Sequence, residues 1–549
     1  MQSHMLDALR IVFGYRSALP ATFLAALLML AGNAIGQETG TTPEATETEA
    51  PNSAELFEEG EAAIQSGDFG TALERFDFLV QALQNFRPTT ATEAAQAPQF
   101  LRLAITGRGR ALAGLEEYDA ALGAFKEVTD SDPNFLPTLV ARGQLFLQLG
   151  APDQALADFQ AAVAARRSNP DALFGLGKSY ILLRGYQQGV RPLTRFIEQV
   201  PDNAEAFRLR GDGHAGMFDF DEAMEDYRRA LRLDPEDHLT YASMAVTYLR
   251  TEDYASAVGA LKESISRYTP LPGQEGVPYV QGYLMQSATY LELGKVAEDE
   301  VTRKREYQNA LDVVNEVLEE LDPKSPITAP YRSATLYSRG IAERMVGDFG
   351  GAVRSFSEAI SLNPEMGEAY FRRGICFHHL GEDKMAIADF KQAANINFDD
   401  PRSNLWEGFM HAKLGDYYQA VRAYGDALSA SDRYVPAYVN RGLAYMMLGE
   451  FEKAINDFNE AIRLEPTGAE TYFKRGVAHQ RLGDFDKASG SFANAIEIDG
   501  AHGPAHRHMA EVMRAIGNAE LAEQYRARAA ELEPQRGAEA SPQSASSEG

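Results

Sequence analysis

The chain repeats itself at a short, fixed interval. The stretch RGLAYMMLGEFEKAINDFNEAIRLEP, Arg441 to Pro466, returns 34 residues later as RGVAHQRLGDFDKASGSFANAIEIDG, Arg475 to Gly500. A unit of that size cannot bury an apolar face alone, so the core has to form between stacked neighbours. With the first Gly numbered as position 8, that position is held by Gly340, Gly374, Gly408, Gly442, Gly476 and Ala510, in successive steps of 34. A second lattice of the same step holds Gly109, Gly143, Gly177, Gly211 and Ala245, and an isolated early unit sits at Gly60. In the C-terminal lattice position 15 is always Gly, from Gly347 to Gly517, and position 20 is always Ala, from Ala352 to Ala522.

Each constant residue has a physical role. Apolar residues recur at helical spacing on both sides of position 15, as in AYVNRGLAYMML and FEKAINDFNEAIRL, so the unit reads as two amphipathic helices. Gly at position 15 suits a left-handed residue that ends the first helix. Gly at 8 and Ala at 20 and 27 are small where the helices approach, and aromatics at 17 and 24, such as Phe451 and Phe458, fill the remaining space. Pro at 32, seen at Pro133, Pro201, Pro235, Pro364, Pro466 and Pro534, is expected to stop the second helix.

This pattern resembles the tetratricopeptide repeat family, whose signature places small, large and Pro residues at these positions of a 34-residue helix-turn-helix. The resemblance spans nearly all of Ser53 to Pro534, in about thirteen units. It implies an all-α, right-handed superhelical solenoid whose concave face, lined by the first helices, holds a peptide or protein partner. In the family, positions 2, 5, 6, 9, 12 and 13 face that side. Carried onto this chain, position 5 is Tyr337, Phe371, Leu405, Val439 and Phe473, and position 9 is Ile341, Ile375, Phe409, Leu443 and Val477. Residues four apart share a helix face, so these rows form an apolar lane. Position 6 adds the donors Arg372, Asn440 and Lys474. The set resembles the family's carboxylate clamp only loosely, because the full complement of basic and Asn residues is missing. The expected ligand is an apolar peptide with some negative charge; the alternative is that positions 5 and 9 support neighbouring repeats.

Breaks in the lattice suggest how the chain is divided. About 15 residues are inserted around FRPTTATEAAQAPQ, Phe86 to Gln99. The gap of 95 between Ala245 and Gly340 holds one extra unit, its turn stretched by KVAEDEVTRKREY, Lys295 to Tyr307. YTPLPGQEGVP (Tyr268 to Pro278) and DPKSPITAP (Asp322 to Pro330) flank it, with Pro and Gly at a density that ends helices. The expected divisions are 1–36, 37–53, a repeat block at 54–267, an irregular elbow at 268–335, a second block at 336–534, and a tail at 535–549. The competing reading takes the insertions as tolerated loops. In the last unit Arg507, Glu511 and Arg526 stand where the preceding unit has Phe473, Val477 and Phe492, as suits a cap facing water.

The N-terminus reads as an address. Arg10 and Arg16 precede the apolar run Ala21 to Ala31 and the small residues Ala34 to Gly36, predicting export with cleavage before Gln37 into a periplasmic or secreted protein. The run is shorter than the roughly 18 residues a membrane-spanning helix needs, so an uncleaved inner-membrane anchor is the alternative. Residues 37–53 are acidic and Thr-rich, and they and the tail are expected to be disordered.

A net charge of −27 argues against nucleic acid and against anionic membrane surfaces, and the single cysteine, Cys376, rules out an internal disulfide. No phosphate loop, nucleophile turn or zinc helix is present. Cys376 and His379 are too few to hold a metal, and His502, His506 and His508 read as a solvated helix start. No cofactor is expected. The sequence therefore points to a non-catalytic scaffold or adaptor of the bacterial envelope. A membrane-tethered assembly or chaperone-like factor, or an enzyme with its site at the elbow, are the alternatives.

Overall fold

A computed structural model describes residues 53–88, 90–270 and 277–536, the side chains of 533–536 excepted. Among these residues there are 26 helices and no strand. The chain divides into two compact units, Met1–Arg267 and Tyr268–Gly549. The first holds α1 (Ser53–Ser66), α2 (Phe69–Asn85), α3 (Ala91–Gly114), α4 (Tyr118–Ser131), α5 (Leu136–Gln148) and α6 (Pro152–Ala165). It continues with α7 (Pro170–Leu182), α8 (Tyr186–Ile197), α9 (Ala204–Gly216), α10 (Phe220–Leu233), α11 (His238–Arg250) and α12 (Tyr254–Arg267). The second holds α13 (Val280–Val296), α14 (Glu300–Glu320), α15 (Ala329–Val346), α16 (Phe349–Leu362), α17 (Gly367–His379), α18 (Asp383–Ile396) and α19 (Pro401–Lys413). Its remaining helices are α20 (Tyr417–Ala430), α21 (Val435–Met447), α22 (Phe451–Leu464), α23 (Ala469–Leu482), α24 (Phe485–Ile498), α25 (Gly503–Ala515) and α26 (Ala519–Arg536).

Consecutive helices pair as hairpins, and the pairing is written in the small residues. A Cβ placed on Gly340, Gly442 or Gly476 would stand 2.7, 2.7 and 2.5 Å from the rings of Phe356, Phe458 and Phe492. Those rings, with Phe390 and Tyr424, are fully buried. The Ala at position 20 is buried in every unit of the C-terminal lattice, Ala454 packing with Phe458 and Ala478. Close approach at position 8 therefore creates the slot that the position-24 ring fills.

The turn residue is left-handed in every hairpin except α13–α14. In the second unit Gly347, Gly381, Gly415, Gly449, Gly483 and Gly517 have φ between 76° and 97°. In the first unit Gly67 and Gly150 do the same, but Glu116, Arg184, Phe218 and Glu252 occupy the equivalent position with φ of 64°, 60°, 69° and 58°. A Cβ clashes there, so the first unit carries backbone strain that the second avoids.

A polar staple joins the two helices of some hairpins. Arg142, Arg210, Arg373 and Arg441, at position 7, each grip an Asp sixteen residues on, Asp158, Asp226, Asp389 and Asp457, through paired bonds of 2.7 to 2.9 Å. Arg339 and Arg475 meet Ser355 and Ser491 in the same register. The Asp side chains are buried. Burial pushes the Asp389 carboxyl up even against the opposing pull of Arg373. Such pairs specify register more than they add net stability, yet losing one partner is costly.

Several sequence expectations change. The insertion after Phe86 is mostly helix: a capping box at Thr90 and Glu93 starts α3, which runs 24 residues with Pro98 inside it. The turn between α13 and α14 is short, and the extra length lies in α14, capped by Asp299 accepting from the Thr302 amide at 2.8 Å. Pro534 does not stop its helix, because α26 runs on through Gln535 to Arg536. Arg507, Glu511 and Arg526 are exposed on the last hairpin. The expected signal, its cleavage point, almost all of the acidic linker and the tail beyond Arg536 lie outside the described residues.

Candidate partner-binding surface

The first helices of the second unit bring the expected lane together only in part. Phe371 and Ile375 are buried in a cluster with Ala386, Phe390 and Met410. Tyr337 and Ile341 pack on Phe356, Leu405 on Tyr424 and Leu428, Leu443 on Phe458, and Phe473 and Val477 on Phe492. Val439 is half-buried. Of the ten residues in the two rows only Phe409 is exposed, at 43 %. The rows thus spend most of their apolar area holding repeats together.

The donors of position 6 already have acceptors. Arg372 Nε donates to Tyr337 Oη at 2.8 Å, and its guanidinium pairs with Glu368 at 2.9 Å. Asn440 Nδ2 donates to the Pro436 carbonyl at 2.8 Å, and Lys474 Nζ lies 3.6 Å from Glu470. A ligand carboxylate would have to compete with Glu368 or Glu470 for these groups.

What the structure adds is an aromatic cluster around Phe409. The only tryptophan of the chain, Trp406, lies 5.6 Å from Phe409 between ring centroids, and His378 completes a triangle at 6.0 Å and 5.9 Å. Trp406 is anchored from below by Phe390 at 5.7 Å. Lys413 Nζ sits beside the cluster, donating to Asp383 at 2.8 Å and lying 3.4 Å from His378 Nδ1. These residues hold positions 6, 9, 12 and 13, and on the next repeat Met447, also at position 13, is 63 % exposed. A lone Trp three residues before an apolar lane member was the available signal, since that spacing shares a helix face.

The metal candidates are used for packing. Cys376 is fully buried, which pushes its thiol up to about 12, and His379 stacks on Phe349 at 4.5 Å. The solvated helix start expected at the C-terminal histidines is corrected: His502 and His506 are buried. His502 Nδ1 accepts from the Ala505 amide at 3.1 Å and its Nε2 meets Glu470 at 3.1 Å. His506 bonds the Gly500 carbonyl at 3.2 Å, and His508 lies 2.8 Å from Gln480.

The first unit has a charged first-helix face. Lys178 pairs with Glu205 at 2.7 Å, and Arg208 reaches Glu205, Asp212 and Asp237 at 3.7, 3.5 and 3.5 Å. Tyr227 Oη donates to Asp212 at 3.0 Å. Burial raises the Asp212 carboxyl and pushes Asp171 up to about 6, with Arg110 opposing the latter.

Family models match the repeat architecture. Tetratricopeptide repeat families match residues 140–187, 204–237, 337–401 and 469–502, and a TPR repeat family matches 444–483. The "Protein SGT1 homolog" of Oryza sativa subsp. japonica is 28 % identical over 177 residues, 30 % of this chain and 48 % of that protein. "Tetratricopeptide repeat protein 13" of Homo sapiens is 24 % identical over 202 residues, 36 % of this chain and 21 % of that protein. The chain thus spans about half or less of the length of these relatives. Among solved structures, MamA is 24 % identical with a TM-score of 0.30, over 31 % of this chain and 93 % of that one. YrrB, described as a TPR protein with an unusual peptide-binding site, is 18 % identical with a TM-score of 0.31, over 36 % and 96 %. Paired helices in a 34-residue lattice, glycine slots filled by position-24 rings and these family matches lead to one conclusion: the chain is a tetratricopeptide repeat protein.

Proposed function

We propose that this protein is a non-catalytic scaffold of the bacterial envelope that captures an extended segment of a partner on the first helices of its second unit. The observation that carries this reading is the part-exposed aromatic cluster of Trp406, Phe409 and His378. Two rings and an imidazole held edge to face offer an apolar peptide side chain a rigid seat at little entropic cost. Lys413 beside it, with Arg372 and Lys474 on the first helices of other repeats of the same unit, favours a segment with some negative charge. The tetratricopeptide repeats matched along the chain support protein–protein interaction as the class of function. The leader expected in residues 1–36 supports export, and mass spectrometry of the mature N-terminus tests it: a chain beginning at Gln37 is expected, and a retained leader overturns it.

Binding has a built-in reporter, because Trp406 is the only tryptophan. A partner isolated by pull-down on the mature chain is expected to shift its emission and to lose affinity for Phe409→Ala. The double variant Arg372→Ala with Lys474→Ala is expected to bind more weakly with helicity kept. Binding unaltered in both variants, with emission unchanged, refutes this seat.

A further inference from the structure

Phe218 is the least explained residue of the first unit. It holds the left-handed turn position between α9 and α10, where φ is 69° and eight other repeats have Gly. A bulky side chain there costs strain, and burial does not return it: the ring is 74 % exposed and meets Phe220 edge-on at 6.0 Å. Phe220 in turn begins one wall of a cleft of about 420 Å³ between α10 and α11. Met224 and Tyr248 line it with Phe220, and Asp221, Glu225 and Asp253 place carboxylates around it.

The charge around this cleft selects its occupant. Asp221 and Glu225 are four apart on α10, both exposed, and neither makes an ion pair among the described residues. Asp219, Glu222 and Glu252 add three more carboxylates beside them in sequence, and Arg228 is the cation lining the cleft. A cleft with Phe220, Met224 and Tyr248 among its walls and Asp221, Glu225 and Asp253 beside them fits a long cationic side chain, whose methylene stem covers the rings while its head reaches the acids. A second copy of this chain, with its net charge of −27, would meet the rim with like charge.

We infer that the Phe218 edge and the adjoining cleft form a docking site for a basic, apolar-flanked segment of a protein partner. A Lys or Arg of that segment enters the cleft against Phe220, Met224 and Tyr248 and pairs with Asp221 and Glu225. The neighbouring apolar residue packs on Phe218. This site is in the other unit from the Trp406 cluster and does not depend on it.

The experiment uses the full chain and a fluorescein-labelled peptide of alternating Arg and Leu, read by anisotropy at near-physiological salt. A peptide of equal charge with Ser for Leu is the control. The Arg/Leu peptide is expected to bind at least tenfold tighter than the control. Phe218→Gly, which relieves the backbone and so keeps the fold, is expected to weaken it tenfold or more. Asp221→Asn with Glu225→Gln is expected to do the same, whereas Arg372→Ala with Lys474→Ala leaves it unchanged. Equal binding of the two peptides, or no loss in Phe218→Gly and in the double amide variant, overturns the proposal. So does self-association of the wild-type chain in sedimentation that Phe218→Gly abolishes, because the edge then serves a second copy.

Discussion

The left-handed turn residues give the sharpest test of the packing logic. Glu116, Arg184 and Glu252 are exposed and sit at φ of 64°, 60° and 58°, where Gly is the unstrained choice. Adopting that conformation costs a residue with a Cβ about 1 to 2 kcal/mol. Gly in the unfolded chain gives back about 0.5 to 1 kcal/mol in entropy, so each change to Gly should gain about 0.5 to 1 kcal/mol. The three sites lie in separate repeats without shared partners, so the gains add. The triple variant should therefore be more stable by about 1.5 to 3 kcal/mol, a rise in melting midpoint of roughly 3 to 12 °C for a unit of this size. The control is Gly150→Ala in the same unit, at φ 70° with open space around the added carbon, so that only the backbone is perturbed. It should lose about 1 kcal/mol. Urea unfolding followed by circular dichroism reads both. A triple variant no more stable than the parent, or a neutral Gly150→Ala, would show that the repeats relax around the turn and that the strain is not stored there.

Arg441→Ala leaves Asp457 buried without its cation and should cost about 3 kcal/mol, whereas Arg441→Met with Asp457→Leu should be close to neutral; equal losses in urea melts would refute the staple. Ala454→Leu should cost about 1 to 3 kcal/mol by overpacking against Phe458, and an unchanged melt would show that position 20 has room. Asp171 binds its proton more tightly folded, at about 6, than unfolded, so its charge opposes folding: that cost is absent below the ordinary carboxylate range and grows as pH rises from about 4 to 6. Asp171→Asn should therefore gain about 1 to 2 kcal/mol at pH 7 and nothing at pH 3.5, and equal effects at both would refute the burial argument. Removing 537–549 should leave the melt unchanged, whereas removing 510–536 should uncover Phe492 and neighbouring apolar surface and cause aggregation, seen by light scattering.

Fold legibility followed the spacing of small residues. Gly442 and Phe458 announce a close helix pair because only that pairing explains a Gly and a ring sixteen residues apart, and Gly449 announces its turn. Phe86 to Gln99 was illegible because a Pro-containing insertion looks like a loop until a capping box at Thr90 is weighed against Pro98. The Arg–Asp pairs were present in the sequence at a fixed offset of sixteen, but charge on a helix reads as solvated unless its partner across the hairpin is considered. At the candidate site Phe409 was legible from its row. Phe371 and Ile375, in the same rows, turned inward because rows facing a groove also face the next repeat. His502 was misread for a similar reason: its capping of α25 and its reach to Glu470 span two repeats.

The staples also bear on how such a chain folds. Each joins residues only sixteen apart, inside one hairpin, so it can close before any neighbour has stacked, when the loop entropy is still small. In both units the stapled hairpins are separated by one hairpin without an Arg–Asp pair. Pulsed hydrogen exchange should find α5–α6, α9–α10, α17–α18 and α21–α22 protected first; simultaneous protection of every hairpin would count against it. Within each unit, two early hairpins on either side of a single unstapled one would leave that hairpin only a short stretch to recruit, so a chain without a disulfide or a single large core would not have to wait on one nucleus.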